Sequence, residues 1–373
     1  MNLQLSITER CNLRCSYCYY RETHANRSVD MSDEVMEATL GLAVKRMVEQ
    51  KDCSLNITFF GGEPLLRMDF IKKTIKFAKS LIKENKAALP KDFELSFAVN
   101  TNGTLLSEET VRLMKREKFR IVVSMDGPQK KHDLCRKRPD GSGSFKAIEP
   151  FIPDLVEMDA VVIMVVTPKH VKGLADSVKW VVKQGFRNVT TSLDFNGAWT
   201  GADYDALVPE YEKLARFWYK AKKEGSDIYL GTIQDKVFQE FLQIRSKSLT
   251  CYMNADSLAV AANGNTFPCT RFVSSRKGAP YVTGNVFDER SGIYKGVLPK
   301  EVQRFMENDR KECSGCAIRY RCVAHECGCT SFYTTGSLKG VSPEVCAHER
   351  ILCAICDEYA ARLQRHGAPE SVL

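Results

Sequence analysis

Leu3-Gln4-Leu5-Ser6-Ile7-Thr8-Glu9-Arg10-Cys11-Asn12-Leu13-Arg14-Cys15-Ser16-Tyr17-Cys18 opens the chain with alternating apolar and polar residues and then, at once, three cysteines. Leu3 to Ile7 has the period of a half-buried β-strand. The CxxxCxxC spacing that follows is short enough for three thiolates to converge from one loop. Three protein thiolates on a four-iron cluster leave one iron open. A fully ligated cluster only moves electrons, whereas an open iron can bind a substrate or cofactor. The spacing alone also suits a zinc loop or a ferredoxin fragment. A structural zinc site takes a fourth Cys or His close by, and His24 is the nearest candidate.

Outward from this stretch, short β-rich runs alternate with amphipathic helical stretches as far as about Leu193, the pattern of β/α units on a parallel sheet. The six runs are Leu3 to Ile7, Leu55 to Phe60, Phe93 to Val99, Ile121 to Met125, Val161 to Thr167 and Val189 to Leu193. Between the first two, Met36, Leu40, Ala43, Val44 and Met47 recur at helical spacing behind Ser32, a predicted N-cap. Ser107 followed by Glu108 and Glu109 marks a second helix start, where early acids suit the dipole. In parallel β/α folds ligands gather beyond the carboxyl ends of the strands. There lie the cysteine triplet, Gly61-Gly62-Glu63-Pro64, Asn100 to Gly103, and Ser124 to Pro128. After Leu193 the alternation weakens, a helix is predicted around Tyr211 to Lys223, and a cysteine-rich part begins at Cys251. The expected segments are a partial barrel over 1–200, a helical linker over 201–245, and a cysteine-rich domain with a C-terminal helix over 246–373.

The chain has 373 residues, 44% of them hydrophobic, which is enough for a sizeable core. Of its fifteen cysteines, three lie between Cys11 and Cys18 and ten between Cys251 and Cys356, while Cys53 and Cys135 stand apart. A long chain, an odd total and the lack of a basic-then-apolar start at Met1 to Ser6 argue for cytoplasmic, metal-holding cysteines rather than a secreted disulfide ladder. The longest pure apolar run, Ala160 to Val166, is far short of the roughly 20 residues that span a bilayer. The net charge of +8 is interleaved with acids, a solvated surface rather than a nucleic-acid groove.

CNLRCSYCY, with Tyr17 before the last cysteine, resembles the signature of the radical S-adenosylmethionine (SAM) superfamily. The resemblance implies a partial (β/α)6 barrel and a [4Fe-4S] cluster on Cys11, Cys15 and Cys18. On the open iron SAM is chelated and then cleaved to a 5'-deoxyadenosyl radical. It further implies that Gly61, Gly62, Glu63 and Pro64 bind the SAM amino group, and that Ser124 and Arg136 contact its carboxylate. Tyr17, Asn102, Asp126 and Leu193 complete the cofactor-binding set carried over from matching stretches. Asn102 and Asp126 also read as turn formers, and Arg136 as a solvated loop arginine.

The second group of cysteines resembles the SPASM extension of radical SAM peptide-modifying enzymes, which carries two auxiliary [4Fe-4S] clusters, three in all. By position, Cys251 and Cys269 would hold the first auxiliary cluster with the cysteine that ends the block. Cys313, Cys316, Cys322 and Cys346 would hold the second. The family pattern places a cysteine where Glu326 stands, whereas the thiols here are Cys327 and Cys329, which leaves one of them or both to close the first cluster. A zinc-ribbon tail has similar spacing. Cys353 and Cys356 fall after the last ligand.

Enzymes with this extension mostly act on peptides or proteins. The expected reaction is hydrogen abstraction from a ribosomal precursor peptide to give an oxidative thioether or carbon cross-link, with a flavodoxin- or ferredoxin-type reductant as electron donor. The alternatives are anaerobic sulfatase maturation, Cys or Ser to formylglycine, and a non-catalytic iron-sulfur or zinc scaffold. Chain length, and a start directly in the first strand, resemble the sulfatase-maturing group rather than maturases with a leader-binding domain. In that group an aspartate base follows the GxxxxC cysteine, whereas Thr270 and Arg271 follow Cys269 here. Threonine is a poor base at neutral pH, and Asp235 is the substitute carboxylate.

Overall fold

A computed structural model describes residues 1–20, 29–244, 257–288, 300 and 310–366. His24 and Cys251 lie outside the described residues. The chain gathers into two compact units, one of Met1–Val122, Arg138–Gly141 and Tyr252–Gln303, the other of Val123–Lys137, Ser142–Cys251 and Arg304–Leu373.

In the first unit, β1 (Asn2–Thr8) pairs in parallel with β2 (Ser54–Gly61), and β2 with β3 (Glu94–Thr101). Leu3, Leu5 and Ile7 of β1 are fully buried, as the alternation predicts, but Ser6 and Thr8 are buried too, so the strand is covered on both faces at its carboxyl end. Phe59, Phe97 and Phe119 stack beneath these strands with ring centroids 5.8–6.4 Å apart. Helix α1 (Asp33–Gln50) begins at Ser32, whose hydroxyl accepts from Val35 N, and buries Met36, Leu40, Ala43, Val44 and Met47. Helix α2 (Met68–Glu84) packs on α1. Helix α3 (Glu108–Arg116) begins at Ser107, whose side chain accepts from Thr110 N.

The other edge of this sheet was not read from the sequence. Strand β8 (Ser257–Val260) pairs in parallel with β1, and β9 (Asn265–Phe267) and β10 (Gly284–Asn285) add antiparallel strands. These strands are only 2 to 4 residues long, too short for periodicity to mark. Gly264 closes the β8–β9 hairpin at φ +84°, a conformation that favours glycine.

In the second unit β5 (Val161–Val166), β6 (Asn188–Leu193) and β7 (Tyr229–Leu230) run parallel. The remaining strand of the alternation is β4 (Arg120–Ser124). Its end is followed by helix α4 (Gln129–Cys135). Short helices α5 (Phe145–Ile148) and α6 (Ile152–Glu157) precede β5, and α7 (Leu174–Lys183) joins β5 to β6. Helix α8 (Gly201–Lys223) starts ten residues before the predicted one, because Thr200 and Asp203 form a reciprocal capping box in a stretch that reads as loop. Helix α9 (Gly231–Phe241) packs against α12 (Pro343–His366), as does α8. Two short helices, α10 (Val323–Glu326) and α11 (Gly328–Thr335), carry the cysteine block. No helix among the described residues is long and apolar enough to cross a membrane.

Ser107→Ala, which removes the cap of α3, is expected to lower stability by about 1 kcal/mol in a denaturant titration without changing its slope.

Candidate functional site

The first unit brings the cysteine triplet and the Gly-Gly-Glu-Pro segment together through backbone alone. Gly62 N donates to Thr8 O and Glu63 N to Arg10 O, each at 2.8 Å. A Cβ on Gly61 would lie 2.2 Å from Thr8 O, and one on Gly62 would lie 2.1 Å from Arg10 O. Gly61 also sits at φ +132°. Both glycines are therefore demanded by the chain that leads into Cys11, because any side chain would push that chain away.

Glu63 is fully buried. Its Oε1 accepts from Leu65 N at 3.0 Å and Thr101 Oγ1 at 2.7 Å, and its Oε2 from Asn102 N at 2.7 Å. Burial pushes this carboxyl up to about 7 in spite of these donors. The acid thus ties the end of β2 to the end of β3, and Pro64 opens the 3-10 turn that Glu63 caps. Asn102 carries the connection onward: its Nδ2 lies 3.8 Å from Cys11 Sγ and donates to Asn12 Oδ1 at 3.0 Å, while Asn12 Nδ2 donates to Thr104 Oγ1 at 2.8 Å. Leu13 N points at Cys11 Sγ from 3.4 Å. Cys11 is thus approached by two N–H donors, which stabilise a thiolate.

Two neighbours of the triplet were missed from sequence. Asp30 accepts from Thr8 Oγ1 and from Arg10, and Arg67 stands 3.3 Å from the same carboxylate, bracing the exit of β1. The Arg271 guanidinium lies over the Tyr19 ring, 4.9 Å from its centroid, and Ser275 N donates to Glu9. These contacts lay the segment after Cys269 against the triplet loop. They link residues more than 250 positions apart, so local patterning holds no sign of them. Tyr17 is half-buried on the same loop.

In the second unit the sequence-predicted Asp126 and Arg136 meet each other. Both are buried, and Arg136 donates Nε to Asp126 Oδ2 at 2.9 Å and its second amine to Oδ1 at 3.2 Å, a bidentate pair. Val165 N also donates to Asp126 Oδ1 at 3.0 Å. The reading of Arg136 as a solvated loop arginine does not hold, because α4 carries it inward to this carboxylate. Between them His132 points Nδ1 at Asp126 N, and burial, helped by the Arg136 charge, drives its pKa down to about 4. Ser124 is half-buried at the end of β4, and Leu193 is buried at the end of β6. Asp235 sits exposed on α9 and accepts from Tyr229 at 2.7 Å.

The thiols from Cys313 to Cys356 lie in the second unit, whereas Cys269 belongs to the first. Buried Arg310 donates to the carbonyls of Ala324, Gly340 and Leu338, holding the block between Cys313 and Cys346 to one cation. Burial pushes the Cys313 thiol up, the Arg310 charge eases it, and neighbouring Cys316 and Cys346 push it further, so these three thiols share one neighbourhood. Burial pushes the Cys322 thiol up to about 12. Cys327 and Cys329 approach to 3.2 Å between sulfurs, so both candidates for closing the first auxiliary cluster are presented together. Cys269 is half-buried at the start of a 3-10 turn. Cys353 and Cys356 are buried on α12, and Cys356 Sγ lies 3.8 Å from Ile233 O.

All the described cysteines are free thiols, and among the described residues no three His, Cys, Asp or Glu side chains close around one ion. The donor set fits iron-sulfur chemistry: thiols only, with no carboxylate or imidazole among the predicted ligands, and N–H groups aimed at sulfur in the triplet.

Residues 5–190 match the Radical SAM superfamily. A cysteine-type anaerobic sulfatase-maturating enzyme of Clostridium perfringens strain 13 is 27% identical over 305 residues, 74% of this chain and 75% of that protein. One of Clostridium novyi is 25% identical over 83% of each chain. The solved structure of native anSMEcpe with bound AdoMet superposes with a TM-score of 0.77 at 21% identity, covering 98% of this chain and 99% of that one. Streptococcus suis SuiB bound to precursor peptide SuiA gives 0.58 at 15% identity, covering 92% and 75%.

Because burial raises the Glu63 pKa, its carboxyl stays protonated in the fold where it would ionise in the unfolded chain. Its contribution is therefore lost as pH rises from its ordinary value to about 7. Glu63→Gln is expected to flatten the pH dependence of the unfolding free energy across that window, measured by denaturant titration at a series of pH values. Gly62→Ala is expected to displace the triplet loop and to cut the iron bound after anaerobic reconstitution severalfold.

Proposed function

We propose that this chain, which belongs to the radical SAM superfamily, is a SPASM-type enzyme that oxidises a side chain of a polypeptide, in the manner of the anaerobic sulfatase-maturating enzymes. Cys11, Cys15 and Cys18 would hold a [4Fe-4S] cluster. Cys313, Cys316, Cys322 and Cys346 would hold one auxiliary cluster, and Cys251, Cys269, Cys327 and Cys329 the other. When bound, cluster and SAM supply a 5'-deoxyadenosyl radical that takes a carbon-bound hydrogen. The chain's own share is to bind, orient and exclude water. Gly61 and Gly62 seat the triplet loop, Glu63 and Asn102 lock it to β3, and Asp126 with Arg136 makes rigid the loop beyond β4. Tyr17, Ser124 and Leu193 are proposed to line the SAM site.

The substrate class rests on one observation above the others: the agreement with sulfatase-maturating enzymes runs over nearly the whole chain, cysteine-rich part included. In such a reaction the Cys or Ser side chain loses two electrons and two hydrogens. A serine gives the aldehyde directly, and a cysteine gives a thioaldehyde that water converts to the aldehyde with release of hydrogen sulfide. One electron and one proton leave together as the hydrogen atom taken by the deoxyadenosyl radical; the second hydrogen would leave as a proton and the remaining electron would pass to an auxiliary cluster, while a flavodoxin- or ferredoxin-type protein would supply the electron that cleaves SAM. Thr270, at the position of the family's aspartate base, favours a second reading in which the product radical closes a thioether or carbon cross-link. Asp235 is the carboxylate proposed to accept the proton in the first reading.

Anaerobic turnover with SAM and a sulfatase-derived peptide carrying the target cysteine or serine separates the readings. A product that reacts with a hydrazide probe is expected. A peptide two hydrogens lighter that ignores the probe would establish the cross-link instead. Replacing Cys11, Cys15 and Cys18 by Ala is expected to abolish 5'-deoxyadenosine formation, and retained formation would sink the mechanism. Reconstituted protein is expected to hold about twelve irons, three four-iron clusters. About four irons with stoichiometric zinc would make the tail a zinc module.

A further inference from the structure

Lys236 on α9 and Glu349 on α12 form an ion pair at 2.7 Å, with Lys236 only 9% and Glu349 only 1% exposed. Between the two helices runs Arg321-Cys322-Val323, and the pair holds the peptide groups on both sides of the cysteine. Lys236 Nζ donates to the Arg321 carbonyl, and Glu349 Oε2 accepts from Val323 N at 2.9 Å. The grip is reciprocal, because the Arg321 guanidinium donates to the Lys236 carbonyl at 2.9 Å. Glu349 is itself braced: His348 Nδ1 lies 3.2 Å from its Oε1, and His348 Nε2 lies 2.7 Å from the Tyr211 hydroxyl.

We infer that the buried Lys236–Glu349 pair is a positioning clamp for Cys322, fixing its backbone so that the thiolate meets the auxiliary cluster and placing a cation beside that cluster. The argument is geometric. With the flanking carbonyl and N–H both taken by side chains of two packed helices, the peptide of Cys322 cannot rotate, and the thiol keeps only its side-chain torsion. A buried ion pair is weak evidence of stabilisation, since taking both charges out of water offsets their attraction. Its position around one residue is what calls for an explanation. A fixed cation near a thiolate-ligated cluster also favours the more negative, reduced state. The inference rests on the reading of Cys322 as a cluster ligand.

The test uses the full chain with Cys11, Cys15 and Cys18 replaced by Ala, so that only the auxiliary clusters report. The anaerobically reconstituted parent is expected to hold about eight irons. Lys236→Met and the double variant Lys236→Met with Glu349→Met, which leaves no unpaired charge, are expected to hold about half of that, and Lys236→Arg to recover toward the parent. Glu349→Gln keeps an acceptor for Val323 N–H. It is expected to shift the midpoint of one auxiliary cluster in a potentiometric EPR titration to a more positive value, because Lys236 is left unbalanced. Parent-like iron in the Met variants together with an unmoved midpoint in Glu349→Gln would overturn the clamp; if the Met variants do not fold, the midpoint alone decides. A parent that binds no iron would overturn the ligand reading itself, and that result appears before any change at Lys236.

Discussion

The constraint on which the first unit depends is the absence of room for a Cβ at two consecutive positions. Thr8 O and Arg10 O lie so near Gly61 and Gly62 that the turn after β2 and the chain entering Cys11 share one layer of backbone hydrogen bonds. Everything at the strand ends follows from that contact. It brings Glu63 to the ends of β2 and β3, and Glu63 brings Asn102 to Cys11. A loop of three cysteines that had to order itself around iron would lose conformational entropy on doing so. Here that entropy is already lost on folding, through peptide groups that need no metal.

Glu63 shows why a motif and its role are separate matters. An acid beside two glycines reads naturally as a partner for an ammonium group. In the structure its two oxygens serve Leu65, Thr101 and Asn102, and burial holds its carboxyl near neutrality. A group so placed acts on the cofactor site through the backbone it fixes. Asp126 and Arg136 are alike in this: two residues assigned separately to cofactor contact are bidentate partners of one another, and a broken pair would leave a buried charge uncompensated.

What could be read from sequence follows the range of the forces involved. β1 to β6 and the caps at Ser32 and Ser107 are local, set by alternation and by side chains three residues from the amides they serve, and they stand where the pattern puts them. The cysteine spacing is local too. The strands from Ser257 to Asn285 are not: β8 is a strand because β1 offers it an edge, and no run of four residues announces that. Nor does any local pattern connect Arg271 to Tyr19, or Lys236 to Glu349, 113 residues apart.

Lys236 and Glu349 also bear on how the cysteine-rich part is organised. Cys313, Cys316 and Cys322 come from loops and short turns with little regular structure of their own, while Cys346 lies near the start of α12, and such loops hold position only through what they are tied to. In the second unit those ties are cations buried under carbonyls: Arg310 beneath Ala324, Leu338 and Gly340, and Lys236 beneath Arg321. Each cation so placed also faces thiols, Cys313, Cys322 and Cys327 for Arg310 and Cys322 and Cys353 for Lys236. On the proposed ligand set, loops that carry several negative ligands would thus be held by positive side chains, and the same electrostatics would serve the backbone and the site.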